Sequence, residues 1–468
     1  MSITNSYILP HLQVLVPEIG QGKEERMAAT LSSIKEVANN IAASEPETLV
    51  IITSHGDTFE NYFHLSSLDG AVATLSDYGV ENVSIKMTYD TELIKAIVEE
   101  CKDAGIDAGQ EGEDYDMVDH GTAVPLYYID PVMKKEYKVV RVFISGFSLL
   151  THYTYGKCIK AAINKLGRKV TVIASGDMAH RLKEDGPLGY SMDAATFDTA
   201  LTAAMQNANF LGLFAFDDQV RQNAIECCLS AYSIMAGTLD GKMAKGKMLS
   251  YEDTFGVGCG VYSYDIMDAD SDEVIDSRQF DKILIEQIKE ELDKNDNSEN
   301  DYVRLAKKAV EYFVLYKKIP TPEDINAPSF MLNKGATVFV TINVGKQNRG
   351  CMGSITPTKP NMAEEIIAAA CDAASIDPRF IPIEIEELDT LSYQVDLLGE
   401  FEPIKALSSI NAAKHGLCIT LGAKVGLVLP DIPGIKDGMA QLKMAQEKSG
   451  IKSGDAYNMY RFNVKRYI

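Results

Sequence analysis

Three short apolar runs set the strongest limit on how this chain can fold. Thr48–Thr53 (TLVIIT), 139–145 (VVRVFIS) and 169–174 (KVTVIA) are continuous, rich in β-branched residues and too short to be helices. Strands that read this way are covered on both faces. Helical spacing appears at 23–44, 193–208 and 219–239. Strands separated by helices predict an α/β domain, with layered helices around a mixed, largely parallel sheet. In such sheets the active site lies at the carboxyl ends of the strands.

Charge marks where that domain stops. The 468-residue chain carries a formal net charge of −22. Residues 1–264 hold 21 Lys+Arg against 35 Asp+Glu, 265–301 hold 4 against 14, and 302–468 hold 20 against 18. Nearly half the acidic excess therefore sits in 37 residues. We read 265–301 as an acidic interdomain linker, whose part 280–292 can form one exposed helix. An acidic balance argues against nucleic acid or an anionic membrane as partner, because both need a basic face. No run approaches the roughly 18 apolar residues of a membrane span. The stretch 1–20 contains Pro10, His11, Pro17 and Glu18 and does not read as a signal peptide. The eight cysteines form no CxxC pair, so a reducing cytoplasm is the expected location.

The remainder, 302–468, reads differently. A helix over 302–318 is followed by a strand at Thr337–Val344, a helix at Met362–Ser375, and strands at Leu391–Leu398, 417–421, 425–429 and 459–468. Gly422 sits in the turn of a hairpin. This predicts a smaller α+β domain with antiparallel pairs. The expected division is thus 1–264, 265–301 and 302–468.

Six of the seven histidines precede residue 181, and four have informative settings. His11 follows Pro10. His55 comes two residues after a buried strand, in Ser54-His55-Gly56. His120 opens His120-Gly121-Thr122 after Asp119, and His180 ends Ser175-Gly176-Asp177-Met178-Ala179-His180. Strand ends of one sheet converge on one edge, so four imidazoles can meet there. Each alone also suits a surface or satisfied core position. Together they suggest a metal, since neutral imidazole is a common ligand for iron, zinc or copper. Two histidines and a carboxylate with open positions is the arrangement of non-haem Fe(II) oxygenases. His64 and His152 lack the strand-end setting and read as structural.

These motifs, with Val16-Pro17-Glu18-Ile19-Gly20, His120 through Pro125 and Ser250 through Gly258, resemble the class III extradiol dioxygenase superfamily. This is the LigB-type fold that includes the Memo proteins, and the resemblance spans about residues 5–263. It implies an Fe(II) site held by His11, His55 and Glu226, with His180 and Cys227 as alternative ligands. It implies ring opening beside a diol with O2, on a small aromatic substrate. His180 is then the acid–base group and His120 orients substrate. Glu226 also reads as an ordinary helix charge.

In the second domain, Asn348 through Ser354 place Cys351 between Gly350 and Gly353 with Arg349 nearby. A neighbouring cation can activate a thiol, and His415 can supply a base. Cys351 equally suits a small packing position in a glycine-rich turn. Arg349-Gly350-Cys351-Met352-Gly353, Asp377-Pro378-Arg379-Phe380, Lys414-His415-Gly416-Leu417 and Gly426 through Pro430 resemble the AMMECR-type domain. The two-domain arrangement resembles that of AmmeMemoRadiSam system proteins, which implies a radical-SAM partner protein. Arg349 and His415 are the expected substrate contacts there, and a homo-oligomer is expected.

Three activities fit these residues: an extradiol-type dioxygenase, a metal-binding accessory protein holding iron or copper without ring cleavage, and a metal hydrolase. Open coordination by His and Glu suits all three.

Overall fold

The computed structural model describes residues 2–468 apart from 67, 112–116, 269–270, 295–299 and 433. The chain forms two compact units, Met1–Ile288 and Lys289–Ile468. The first contains β1 (Ile3–Leu9), β2 (Thr48–Thr53), β3 (Phe63–His64), β4 (Gly70–Leu75), β5 (Val80–Thr88), β6 (Ala108–Gly109), β7 (Lys138–Phe143), β8 (Val170–Ser175), β9 (Met243–Glu252) and β10 (Cys259–Met267). Six of these make one mixed sheet in the order β7-β2-β8-β1-β10-β9. The four from β7 to β1 are parallel, and β10 and β9 add antiparallel. The three apolar runs are β2, β7 and β8, and all of β2 and β8 is buried.

Helices supply that burial. Ala28–Ser44 turns Ile34, Val37, Ala38 and Ile41 inward at three- and four-residue spacing, and packs on β1, β9 and β10. Leu229–Thr238 packs on β2 and β8 and is backed by Leu149–Leu166. That helix pair approaches to backbone contact. A Cβ on Gly237 would lie 1.9 Å from the Tyr153 carbonyl oxygen, so only glycine fits.

The expected helix over 219–239 is two helices, Asp218–Ala224 and Leu229–Thr238. Between them Ile225 is left-handed, with φ 54°, so the first helix cannot continue. Periodicity gives no sign of that break, because apolar residues continue through it. β4 and β5 pair with each other as a separate hairpin, and the short 3-10 turn Ser76–Tyr78 lies between them.

The second unit is α+β, as its sequence suggested. It holds β11 (Thr337–Val344), β12 (Gln347–Gly353), β13 (Leu391–Leu398), β14 (Glu402–Ile404), β15 (His415–Leu421), β16 (Lys424–Val428) and β17 (Asn458–Tyr467). They form an antiparallel sheet in the order β12-β11-β13-β17-β15-β16, with β14 on β17. Helices Asp301–Tyr316 and Met362–Ser375 pack on each other and on the sheet. Gly422, at φ 58°, turns the β15–β16 hairpin.

The acidic stretch 265–301 is folded over most of its described length. β10 continues to Met267, and helices occupy Asp272–Asp276 and Phe280–Lys294. Phe280 is buried with its ring 5.8 Å from that of Phe210. Asp281, also buried, pairs with Lys157 at 2.5 Å. Net charge conceals this anchoring, which also includes Ile283 against the core, Arg278 on the Ala208 carbonyl and the Gly241 amide on the Arg278 carbonyl.

Candidate metal centre

The register of the parallel strands brings their carboxyl ends level. Leu9 of β1 lies beside Ser175 of β8, Ala174 beside Ile52 of β2, and Thr53 beside Phe143 of β7. The residues just beyond these ends therefore share one edge. His11 and His55 each stand two residues past their strand, and Asp177 two past β8.

His11 is buried and held on three sides. Its backbone N–H donates to Asp177 Oδ1 at 2.9 Å. Its Nδ1 lies 3.0 Å from Ser175 Oγ, and that hydroxyl donates its one proton to the Gly121 carbonyl at 2.5 Å. Ser175 can then only accept from His11, so Nδ1 carries the proton and Nε2 keeps its lone pair. A ring nitrogen fixed in this way is what a metal ligand needs.

The free Nε2 of His11 faces His55 Nε2 at 2.9 Å. His120 completes the group: its ring centroid is 5.1 Å from that of His11 and 4.2 Å from that of His55. One ligand atom from each of the three lies within 4.8 Å of the others. His120 starts helix His120–Ile129, whose N-cap is Asp119. The Asp119 carboxylate accepts from Thr53 Oγ1, the Thr122 amide and hydroxyl, and Arg141. It thereby ties the His55 turn and the His120 helix to β7. Gly121 permits this closeness, since a Cβ there would lie 2.2 Å from Thr53 Oγ1.

Electrostatics suit a cation. Burial, reinforced by the neighbouring imidazole of His55, depresses His11 to about 3. Burial together with His11 and His55 depresses His120 to about 4, and burial also lowers His55. All three are neutral at pH 7 and available as ligands. Burial works against the Asp119 charge, yet Arg141 and the two threonine hydroxyls outweigh it and hold the carboxyl below its usual range. Burial raises Asp177, whose Oδ2 is 3.7 Å from His11 Nε2.

Cys227 comes close as well. Its Sγ is 3.5 Å from His11 Nε2 and donates to the Asp177 carbonyl. Burial raises its thiol. Glu226 does not join the three-imidazole group. One carboxylate oxygen accepts the Cys228 and Leu229 amides at 2.8 Å each and so caps helix Leu229–Thr238. The other faces Arg221 at 3.4 Å. His180 bears electrostatically on His11, His55 and Asp177. Its Nδ1 is buried with no hydrogen-bond partner among the described residues.

A cavity of about 470 Å³ opens onto His55 and His120, with Tyr78, Asp77, Asp57 and Arg141 also on its walls. Tyr78 meets the His120 ring edge-on at 6.1 Å. His64 and His152 take structural places. His152 Nδ1 bonds the Ser148 carbonyl, and its Nε2 accepts the Ser145 amide. His64 Nδ1 bonds the Glu111 carbonyl.

Sequence reasoning missed Asp177, Ser175 and Asp119 as members of the site. All three lie inside the motifs that carry His180 and His120, and that adjacency was the available signal. Tyr78 had none, because the β4–β5 hairpin left no clear trace in the sequence.

The second-unit candidates lie on two strands, Arg349 and Cys351 on β12 and His415 on β15. Cys351 lies in β12 rather than in a turn. Its amide donates to Asp377 Oδ2, and Thr341 Oγ1 is 3.3 Å from its sulfur. Burial raises its thiol. Arg349 is committed to Glu387 through two bonds of 2.7 and 2.8 Å, and to the Ile381 and Pro382 carbonyls. His415 stands on β15, separated from β12 in the sheet by β11, β13 and β17. Its Nδ1 accepts the Asn411 amide.

Comparison with known proteins matches these units to two families. Residues 5–262 fit the family of the catalytic LigB subunit of aromatic ring-opening dioxygenase, and 303–467 fit the AMMECR1 family. A Clostridium acetobutylicum protein named Protein CA_C1420 is 34% identical over all of this chain and 99% of its own length. A Thermotoga maritima protein is 39% identical over 36% of this chain and 98% of its own. Among solved structures, Pyrococcus horikoshii PH0010 is 30% identical, with TM-score 0.33 over 35% of this chain and 88% of that one. Escherichia coli JW3007 is 14% identical, with TM-score 0.39 over 56% of this chain and 99% of that one. The chain belongs to the LigB family and carries an AMMECR1 domain.

Proposed function

From membership of the LigB family, we propose that the first unit is a non-haem Fe(II)-dependent extradiol-type dioxygenase acting on a small aromatic diol. The observation that carries this reading is the pair of facing Nε2 atoms, His11 and His55, 2.9 Å apart, with His55 on the wall of a strand-end cavity. The residues fit a metal: the imidazoles are neutral, the His11 tautomer leaves Nε2 free, and a thiol and a carboxylate stand beside it. His11 and His55 would hold it, with His120 or Cys227 as the third ligand. Fe(II) bound there supplies Lewis-acid and one-electron chemistry toward O2.

The remaining roles belong to the chain. His180 takes the proton of the substrate hydroxyl and returns it to the leaving oxygen. Tyr78 and His120 present ring faces and edges to an aromatic substrate in the cavity. Asp119 and Arg141 keep the His55 and His120 segments in place.

A second reading is favoured by one observation: Glu226 is occupied in capping a helix, while Cys227 faces His11. A His–His–Cys set fits an iron- or copper-binding accessory protein of a radical-SAM-linked modification pathway, without ring cleavage.

Anaerobic purification, metal analysis and O2 uptake on a catechol panel separate the two. Stoichiometric Fe(II) with O2 uptake supports the dioxygenase. Tightly bound metal without uptake across the panel removes it and leaves the accessory reading. His180→Ala adds a further arm, since retained metal with lost turnover assigns the proton role to His180.

A further inference from the structure

His180 has an unusual kind of support. Its imidazole Nδ1 is buried and bonded to nothing among the described residues, so no side chain orients the ring through that atom. The backbone beneath the ring is, by contrast, firmly held. That backbone is pinned at four points. The Met178 amide donates to the Gly258 carbonyl at 2.8 Å, the Gly258 amide to the Ala179 carbonyl at 2.9 Å, and the His180 amide to the Ala224 carbonyl at 2.9 Å. The fourth point is a side chain: the Ala179 amide donates to Asp198 Oδ1 at 2.8 Å.

Asp198 projects from helix Met192–Gln206 and is 3% exposed. Its other oxygen accepts the Tyr251 hydroxyl at 2.6 Å. The carboxylate fits only because residue 258 is glycine, for a Cβ there would lie 1.9 Å from Oδ2. Tyr251 and Gly258 both belong to the motif 250–258, to which the proposed chemistry assigns no part. We infer that Asp198, Tyr251 and Gly258 form a positioning device for His180, setting the imidazole against the metal centre through the Ala179 amide. This inference rests on the reading of His180 as the proton-transfer group.

A hydrogen bond to a carboxylate in a buried site is strong, and removing one end leaves the other unsatisfied. Burial raises Asp198 to about 7, with the Tyr251 hydroxyl opposing. The titratable groups facing it are Tyr251 and Asp253, Cys259 and Tyr262 of β10, and Cys228 ahead of helix Leu229–Thr238. None of them is a cation, so the Ala179 tether is sensitive to pH near neutrality.

The test uses the full chain with 15N-histidine and 15N-alanine labels, and hydrogen exchange over 176–182. Asp198→Ala is expected to speed exchange at Ala179 and His180 about tenfold and to shift the His180 ring signals. Asp198→Asn should restore most of both. In the wild type the Ala179 amide should titrate with a midpoint near 7. Tyr251→Phe keeps the carboxylate and should move that midpoint upward, which gives a reading even if Asp198→Ala does not fold. Unchanged His180 signals in Asp198→Ala, or an Ala179 amide that does not titrate, would overturn the inference. Metal content is measured in parallel on the same samples. Loss of the dioxygenase reading would show as absent O2 uptake with the His180 shifts intact.

Discussion

The Ser175 hydroxyl sets the protonation of His11. Its single proton goes to the Gly121 carbonyl, so toward His11 it can only accept, and the imidazole lone pair is left on the Nε2 that faces His55. The same contact joins the end of β8 to the turn that begins the His120 helix. Ser175→Ala should therefore lower metal affinity by roughly 10- to 100-fold with little change in fold. A metal titration with a competing chelator, beside a thermal melt, reads both. Unchanged affinity would show that the tautomer is fixed by other contacts.

Cys227 predicts a proton count. Burial keeps its thiol protonated at pH 7, while His11, His55 and His120 are already neutral. A metal taken up by imidazoles alone releases no proton, and one that binds the thiolate releases about one. With Cys227 as the third ligand, about one proton per metal is released at pH 7 in the wild type and none in Cys227→Ser, measured in weakly buffered solution; with His120 in that place neither protein releases one. Equal release in both would exclude the sulfur as a ligand.

The metal-free protein should lose stability in acid through His11. Its folded value, about 3, lies below the unfolded one, so between the two the unfolded chain binds more protons. The stability tied to its neutral form is complete above about 6.5 and disappears as pH falls through about 3. Denaturant melts should show a loss on the order of 3 kcal/mol by pH 4 from this group. His11→Asn should flatten that slope, and an unchanged slope would locate the acid sensitivity elsewhere.

Asp119→Asn should damage the fold rather than only the site. Arg141 and Asp119 are both nearly excluded from solvent, and the substitution leaves a buried guanidinium without its counter-charge. A loss of about 3 kcal/mol in urea unfolding is expected. A loss below about 1 kcal/mol would place the pair in a wetter setting.

Cys351 should label slowly. Burial raises its thiol, and Arg349, the expected activating cation, is spent on Glu387. Its rate with a maleimide in the folded protein should fall below that of a peptide cysteine. A faster rate would restore the nucleophile expected from its sequence setting.

Much of this architecture was legible because burial leaves a compositional mark. β2, β7 and β8 announce themselves as apolar runs, and the place of His55 follows from where β2 ends, whereas β1 was not read from the sequence and the strand-end place of His11 came only with the structure. The helix that starts at His120 was not expected, although Asp119 is an N-cap residue type and was the available signal. What stayed hidden depends on single conformations or on long-range pairs. The left-handed Ile225 divides an apolar stretch without changing its pattern, and that division puts Glu226 on amides while Cys227 faces His11. The Asp198–Ala179 contact spans 19 positions and involves a backbone amide, which no residue pattern records.

The β4–β5 hairpin carries Tyr78 and Asp77 to the mouth of the cavity, yet its two strands pair with each other and not with the six-stranded sheet. Changes in this turn can thus alter the shape and charge at the entrance while leaving the strand registers beneath His11 and His55 untouched. Substrate choice and metal retention are separately variable in such a layout. A lineage can retune what it accepts by rewriting a few turn residues, and keep its metal chemistry intact while doing so.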